Sequence, residues 1–208
     1  MNRDEVWDVI DAERLRLADE LGELTTEEWE HPSLCAGWRV KDVAAHVAMV
    51  NMSVGRGIAE IIRAGGNMNR MIRESAIREA ASLPAEAIVA GIRSLSGVHK
   101  PAMSTTHLET LTDTLVHGQD IMIPLGRPYP MPALPAAAAA TRMWGRGFPF
   151  YPQRRFKGFR LVATDTGWSA GEGREVRGPM SQLLLLITGR PGAVTGLSGE
   201  GAADLLAG

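Results

Sequence analysis

The chain has 208 residues, of which 45% are hydrophobic and 22% are charged, enough apolar content for one sizeable core. Its 22 basic and 24 acidic residues give a formal net charge of -2, which excludes a strong global attraction to nucleic acid or to an anionic membrane. The single cysteine, Cys35, excludes an internal disulfide framework and favours a reducing compartment.

The sequence predicts neither a signal peptide nor a membrane span. The charged, helix-patterned N-terminus MNRDEVWDVIDAERLRL lacks the apolar segment and the small-residue cleavage site of a signal peptide. The longest apolar run, Leu183 to Ile187, is far shorter than the roughly 20 residues that span a bilayer. We therefore expect a cytoplasmic protein without nucleic-acid or membrane partners.

The first part of the chain predicts helices. Apolar residues recur at helical spacing from about Arg3 to Leu21, and Thr25 with Glu28 forms a capping-box pattern before a short helical turn. From Val40 to Gly65 the chain has no proline and carries apolar residues on more than one face, which predicts one long buried helix. The polar stretch from Asn67 to Ser82 is a weaker helix candidate, and its first half is typical of a mobile surface segment.

Three further helices are predicted before residue 150. Pro84 is well placed to open the first, which extends to about Val98, and the second runs from about Thr106 to Ile123. A proline-rich loop follows, and the segment AAAAATRMWG has the strongest local helix propensity in the chain. Together these elements predict a helical bundle over residues 1–150.

After residue 150 the pattern changes to short β-prone runs separated by turn residues. The segment from Asp165 to Gly167 is predicted to turn a hairpin between two strands, Phe159 to Thr164 and Trp168 to Ala170. A last helix, MSQLLLLITG, is predicted to end at Gly189. We therefore expect a mainly α fold in which residues 151–208 form a small α+β region packed on the bundle.

The stretch DTLVHGQDI carries a carboxylate and an imidazole four residues apart. Because positions i and i+4 share a helix face, Asp113 and His117 can converge on one point, and each can reach a divalent metal at about 2.0–2.2 Å. Two ligands alone bind weakly, and His46 is the natural third because a histidine inside an apolar helix otherwise needs a partner. The alternative is a simple surface pair and a structural His46.

Polar residues around this motif have weaker signals. Asp120 stands three residues after His117 and is either an acceptor that orients the imidazole or a solvated helix end. His107 and Glu109 precede the motif and are alternative ligands if Asp113 does not bind metal. The residues alone leave these choices open.

Three residues outside the motif are candidates for reactivity or binding. Cys35 precedes the helix that contains His46, where a helix dipole can lower a thiol pKa, although a small buried hydrophobe is the commoner role of a lone cysteine. Arg177 and Arg190 stand among glycines and prolines in predicted loops. A guanidinium there can hold a carboxylate in a bidentate fork, or can simply complement a helix C-terminus.

Three segments together resemble the mycothiol-dependent maleylpyruvate isomerase family: PSLCAGWRVKDVAAHV, DTLVHGQDI and LVATDTGWSAGEGREVRGPMSQLLLLITGRP. They extend over nearly the whole chain, in the order and spacing of the family. The resemblance implies an N-terminal DinB-like metal-binding four-helix bundle, here residues 1–150, with the smaller α+β appendage after it.

The resemblance also implies site residues. The family binds a divalent metal, usually zinc, through a histidine of the W…D…H helix and a carboxylate-x-x-x-histidine pair, which correspond to His46, Asp113 and His117. Nickel, iron or manganese would accept the same nitrogen and oxygen set. The family's carboxylate is glutamate, so Asp113 is one methylene shorter, and metal affinity and identity become open questions. An arginine near the C-terminus is expected to hold a substrate carboxylate, and Arg190 is the candidate.

The resemblance further implies mycothiol, a low-molecular-weight thiol of actinobacteria, as a cofactor. In the isomerase its metal-bound thiolate adds to a cis double bond, rotation follows, and elimination gives the trans isomer; relatives transfer the thiol to other electrophiles. We expect an isomerase or S-transferase acting on a small electrophilic substrate, as a monomer or homodimer. A hydrolase that uses metal-bound water and a non-catalytic metal-binding module are the alternatives.

Overall fold

The computed structural model describes residues 1–50, 52–101 and 105–207. Within them the chain is mainly helical with one small sheet, as the sequence predicts. Its contacts divide it between Tyr129 and Pro130 into an N-terminal unit, residues 2–129, and a C-terminal unit, residues 130–208. The sequence places this boundary later, at residue 150.

Helices account for the regular structure described in the N-terminal unit. They are α1 (Arg3–Gly22), α2 (Thr26–Glu30), α3 (Val40–Ala48), α4 (Val54–Arg63), α5 (Met68–Ser82), α6 (Ala85–Arg93) and α7 (His107–Met122). Four of them, α1, α6, α3 and α7, form a closed ring in which each packs against two of the others. This is the packing of a four-helix bundle.

Side-chain caps set where these helices begin. The predicted capping box at Thr25 and Glu28 is confirmed, since each side chain accepts a hydrogen bond from the other residue's backbone N–H. Thr106 and Glu109 form a second box at the start of α7. Both boxes satisfy backbone donors that a helix start leaves without partners.

The prediction of a single long helix from Val40 to Gly65 is wrong. Helix α3 ends at Ala48, and α4 begins afresh after Ser53, whose hydroxyl oxygen accepts a hydrogen bond from the backbone N–H of Arg56. Residue 51, inside the interruption, lies outside the described residues. The break leaves α3 only nine residues long, with His46 in its last turn.

The polar stretch from Asn67 to Ser82, for which the sequence gives only a weak helix signal, contains a 15-residue helix, α5. Asn67 caps it by accepting a hydrogen bond from the backbone N–H of Arg70. The buried face of α5 consists of the small residues Ser75, Ala76 and Ala80, and the helix packs against α3. A hydrophobicity pattern does not detect this face because its residues are small rather than strongly apolar.

The C-terminal unit combines helices with a three-stranded sheet. Its elements are α8 (Ala133–Arg146), α9 (Pro152–Arg155), β1 (Gly158–Ala163), β2 (Ser169–Gly171), β3 (Gly173–Gly178), α10 (Met180–Ile187), a 3-10 turn (Pro191–Ala193) and α11 (Ala202–Ala207). The predicted hairpin is confirmed, because β1 pairs antiparallel with β2. Strand β3, which the sequence does not predict, pairs parallel with β1 and completes the order β2-β1-β3.

Packing of α8 against α10 explains the position of the boundary. The alanines Ala136, Ala139 and Ala140 on α8 are fully buried, as are the leucines of α10. Because α8 packs on α10, it belongs to the C-terminal unit, and the division falls before residue 150. Among the described residues, no helix combines the length and the apolarity that a membrane crossing needs.

Candidate metal centre

The structure brings the three predicted ligands together inside the bundle. His46 lies in the last turn of α3, and Asp113 and His117 lie one turn apart in α7, which packs against α3. The Oδ1 atom of Asp113 is 3.2 Å from Nε2 of His117 and 3.6 Å from Nε2 of His46. The two imidazoles are nearly perpendicular, with their centroids 5.0 Å apart.

The separations between these atoms suit a bound ion. Ligand atoms about 2.1 Å from a tetrahedral metal lie roughly 3.4 Å from one another, which is close to both distances, and the 3.6 Å separation between Asp113 and His46 is longer than an ordinary hydrogen bond. The side chains of His46, Asp113 and His117 are 25%, 34% and 12% exposed, so the cluster is open to an exogenous ligand. One oxygen of the shorter carboxylate is close to both imidazoles. The three residues therefore fit a divalent metal.

The other nitrogen of His117 faces a buried carboxylate. Nδ1 of His117 is 2.9 Å from Oδ2 of Asp120, whose side chain is fully buried. A proton on Nδ1 that is donated to Asp120 leaves the lone pair on Nε2, which is the tautomer that a metal ligand needs on that side. Of the two roles that the sequence leaves open for Asp120, the structure supports the acceptor and excludes the solvated helix end.

A second cluster shares His117. Cys35 donates its thiol hydrogen to Oδ2 of Asp120 at 3.2 Å, and Sγ lies 4.0 Å from Nδ1 of His117. Cys35, His117 and Asp120 thus also come within metal-binding range of one another. The short distances to Asp120 are nevertheless those of ordinary hydrogen bonds, and its carboxylate is closed to solvent. The geometry of this second cluster therefore suits hydrogen bonds that hold His117 in place, whereas the geometry of His46, Asp113 and His117 suits metal binding.

Mutual attraction governs the protonation of Asp113 and His117 when no metal is bound. Burial has the largest single effect on Asp113 and would raise its pKa, but the positive charge of His117 and the hydrogen bonds from His117 and His46 together outweigh it and hold that pKa well below its usual range. Burial has the largest single effect on His117 and would lower its pKa, but the charge of Asp113 and the hydrogen bonds with Asp113, Asp120 and Cys35 together raise that pKa well above the ordinary histidine value. The two residues then form an ion pair, and a metal has to displace a proton from His117.

Arg14 of α1 is a buried cation that is not among the candidates predicted from the sequence. Its side chain is 1% exposed, its Nη1 donates to the carbonyl of Leu95 at 3.0 Å, and its nearest described anion is Asp11 at 3.8 Å. Burial lowers the pKa of Arg14, and the negative charges of Asp11 and Asp113 oppose this shift. The sequence carried a signal, because Arg14 stands one helical turn after the buried Ile10 and shares its face.

Glu109 and Arg190, two of the remaining candidates, have other contacts. The carboxylate of Glu109 accepts the backbone N–H of Thr106 at 2.9 Å as part of the cap of α7, so it does not replace Asp113. Arg190 belongs to the C-terminal unit, where its Nη1 donates to the carbonyl of Thr188 at 2.6 Å. The expected role of Arg190 in holding a substrate carboxylate stays a prediction.

Beside the ligand His117, Gly118 is packed against an aromatic ring. A Cβ added at Gly118 would stand 2.6 Å from Cε1 of Tyr129. The Tyr129 hydroxyl donates to the carbonyl of Glu13 at 3.4 Å, and the guanidinium of Arg16 lies 3.8 Å from the ring centroid. Through this ring, the turn of α7 that carries a candidate ligand is in contact with α1.

Comparisons with known proteins agree with this architecture. Residues 10–98 match the family model described as the mycothiol maleylpyruvate isomerase N-terminal domain. Two solved structures, one of the mycothiol-dependent maleylpyruvate isomerase and one of its histidine-to-alanine mutant, match with a TM-score of 0.63 at 14% sequence identity. Each match covers 96% of this chain and 93% of the other. A comparison with curated protein sequences gives no match.

The two kinds of match support different parts of the chain. The family model includes His46 but ends before α7, so it says nothing about Asp113 and His117. The structural matches extend over nearly the whole chain and show a shared fold. The resemblance found in the sequence is thus confirmed: residues 10–98 match the model of the mycothiol maleylpyruvate isomerase N-terminal domain, and the chain shares its fold with the mycothiol-dependent maleylpyruvate isomerase.

Proposed function

We propose that this protein is a metal-dependent and mycothiol-dependent isomerase or S-transferase that acts on a small electrophilic substrate. The observation that carries the proposal is the open cluster of His46, Asp113 and His117, found in a fold shared with the mycothiol-dependent maleylpyruvate isomerase. A fold alone does not fix a function. The donor atoms and their exposure provide the chemical part of the argument.

The donor set favours a borderline divalent ion. Two imidazole nitrogens and one carboxylate oxygen are a common catalytic ligand set for zinc, and nickel, iron or manganese accept the same atoms. Three protein ligands leave a further coordination position for an exogenous group. When bound, such an ion lowers the pKa of a coordinated thiol and so favours the thiolate nucleophile at neutral pH.

The chain's own residues prepare this site. Asp113 supplies a negative charge that its neighbours keep ionised. His117 can give up the proton of Nε2 while Nδ1 stays bonded to Asp120. Trp38 lies against the imidazole of His46, with ring centroids 5.4 Å apart, and limits its movement. The partial exposure of all three ligand side chains lets a thiol and a small substrate approach.

Metal content and thiol binding together test the proposal. The purified protein should bind about one equivalent of zinc, and mycothiol should raise the melting temperature of the zinc-loaded protein but not of the metal-free protein. His46→Ala should abolish both effects. His31→Ala is the matched control, because His31 is exposed and belongs to neither cluster, and it should keep both.

Activity is then measured with the zinc-loaded protein. Maleylpyruvate with mycothiol should give the trans isomer, or an electrophile with mycothiol should give an S-conjugate detectable by mass spectrometry. Zinc binding without any effect of the thiol would contradict the proposal and leave a metal-dependent hydrolase or a binding module. Full zinc content in both His46→Ala and His117→Ala would show that the ligand set is wrong.

A further inference from the structure

We propose that Asp120 is a positioning residue, which holds His117 in the tautomer and orientation that metal binding needs, and that the loop from Ser33 to Trp38 holds Asp120 in turn. The inference deepens the proposed function, because it rests on His117 being a metal ligand. It also gives Cys35, the protein's single thiol, a role as a hydrogen-bond donor.

The contact between Asp120 and His117 is short and shielded. Oδ2 of Asp120 lies 2.9 Å from Nδ1 of His117, and the Asp120 side chain has no exposed surface. A buried carboxylate is costly unless hydrogen bonds satisfy it, and a charged acceptor binds an imidazole N–H more strongly than a neutral one. The proton of His117 is therefore held on Nδ1, and Nε2 is left for the metal.

The loop holds Asp120 by two different groups. The thiol of Cys35 donates to Oδ2 of Asp120 at 3.2 Å, and the backbone N–H of Leu34 donates to the main-chain carbonyl of Asp120 at 3.0 Å. The loop is itself closed by Ser33, whose hydroxyl donates to the carbonyl of Trp38 at 2.9 Å and accepts the backbone N–H of Cys35 at 3.1 Å. Side chain and backbone of Asp120 are thus both fixed.

The same loop reaches the second histidine. Trp38, at its end, is almost fully buried, and its ring lies 5.4 Å from the imidazole of His46 at a tilt of 51°. One imidazole is therefore contacted directly by the loop, and the other through Asp120. Six consecutive residues between α2 and α3 therefore support both histidines of the candidate site.

Zinc affinity and the imidazole signals of His117 test the role of Asp120. Asp120→Asn keeps the size of the side chain but weakens the acceptor, and should lower zinc affinity about 10- to 100-fold in a chelator competition. In nitrogen-15 spectra of the histidine rings, the hydrogen-bonded Nδ1–H of His117 should lose its downfield proton shift in this variant, with or without zinc.

Variants of Cys35 test the loop's part. Cys35→Ser retains a donor to Asp120 and should keep the zinc affinity within about twofold, whereas Cys35→Ala removes the donor and should weaken binding several-fold. Asp42→Asn is the matched control, because Asp42 is also a buried carboxylate of this unit but is paired with Arg39. It should lower the melting temperature without changing zinc affinity.

The outcomes separate this inference from the proposed function. A folded Asp120→Asn protein with wild-type zinc affinity and an unchanged Nδ1 signal would overturn the positioning role. Loss of zinc from Cys35→Ala but not from His46→Ala would place the ion among Cys35, His117 and Asp120 and overturn it as well. If the wild-type protein binds no metal, the proposed function fails, and a changed Nδ1 signal in Asp120→Asn would still support the hydrogen bond.

Discussion

The two units of the chain bury different kinds of side chain. Of the eleven buried polar or charged side chains among the described residues, ten lie in the N-terminal unit, and only Thr188 lies in the C-terminal unit. The hydroxyl of Thr188 is satisfied within its own helix, by the carbonyl of Leu184 at 2.8 Å. Arg14 and Asp120, by contrast, depend on partners from distant parts of the sequence.

This contrast suggests that the C-terminal unit is built mainly for stability, whereas the N-terminal unit is also built to hold a chemical site. Apolar burial is insensitive to the exact orientation of each group, so it suits a unit that has only to stay folded. Buried polar groups cost free energy unless partners meet them in a fixed geometry, and the same fixed geometry is what a ligand set requires. The N-terminal unit, which contains the candidate metal centre, is the one that carries these groups.

The largest expected effect lies in the apolar core of the C-terminal unit. Leu184→Ala removes a fully buried side chain from α10 and should lower the free energy of unfolding by about 2–5 kcal/mol. Urea unfolding measures the loss, and a zinc titration below the transition should show unchanged affinity. Leu134→Ala, at an exposed position of α8, should change stability by less than about 0.5 kcal/mol. A large fall in the zinc affinity of Leu184→Ala would contradict the view that the core of the C-terminal unit contributes to stability but not to metal binding.

The next largest effect should distinguish a buried carboxylate, Glu60, from a half-buried one, Glu175. Glu60 is 7% exposed and accepts from Arg63 at 2.9 Å and from Arg78. Glu60→Ala should destabilise the protein by about 1–2 kcal/mol, less than a fully buried pair, because both arginines can regain hydration. Glu175→Ala on β3, whose carboxylate pairs with the exposed Arg177, should cost less than about 0.5 kcal/mol. Equal losses in thermal unfolding would contradict the contrast.

Removing the buried cation should tighten metal binding. Arg14→Met keeps most of the side-chain volume and removes a positive charge that acts on Asp113. A cation disfavours a nearby divalent ion, so zinc affinity should rise on the order of tenfold in a chelator competition. Arg93→Met is the control, because Arg93 is exposed and pairs with Asp19. Weaker zinc binding by Arg14→Met would show that Arg14 serves to hold the ligand set in place.

The smallest expected effect is a pH dependence with opposite signs for stability and metal binding. Without metal, the raised pKa of His117 stabilises the protein fully below about pH 6.5, and this contribution is lost as pH rises through the folded-state value. The lowered pKa of Asp113 stabilises it above about pH 4, and this contribution is lost as pH falls.

The stability advantage of the wild type over His117→Gln should therefore be largest between about pH 4 and pH 6.5, on the order of 1 kcal/mol, and should shrink above that range. Zinc affinity should instead increase with pH, because Nε2 of His117 has to lose its proton. Urea unfolding of the metal-free proteins and zinc titrations across this pH range measure the two trends. A parallel rise of both with pH would contradict the ion pair.

What the sequence could predict depended on how local the signal was. The capping box at Thr25, the hairpin around Asp165 and the convergence of Asp113 with His117 all follow from residues a few positions apart, and the structure contains all three arrangements. The interruption at Ser53 had a capping residue as its signal, but the apolar pattern on both sides concealed it.

Contacts between distant residues could not be predicted in the same way. Cys35 meets Asp120 across 85 positions of sequence, and no spacing rule connects them. Strand β3 pairs in parallel with β1, and its sequence GREVRG is mostly polar, so it lacks the apolar alternation that marks a strand. The sequence indicates Asp120 as a candidate because it stands one turn from His117, but it does not indicate the loop that holds Asp120.

The tight packing at Gly118 has a practical consequence for redesign of this protein. A mutant library aimed at the neighbours of His117 would naturally include this position, but any side chain there would push on the ring of Tyr129. The Tyr129 hydroxyl is hydrogen-bonded to Glu13, and Arg16 covers the ring. A displaced ring would therefore disturb the packing of α7 against α1. Position 118 should therefore be left constant, and diversity should be introduced on the solvent-facing side of the cluster.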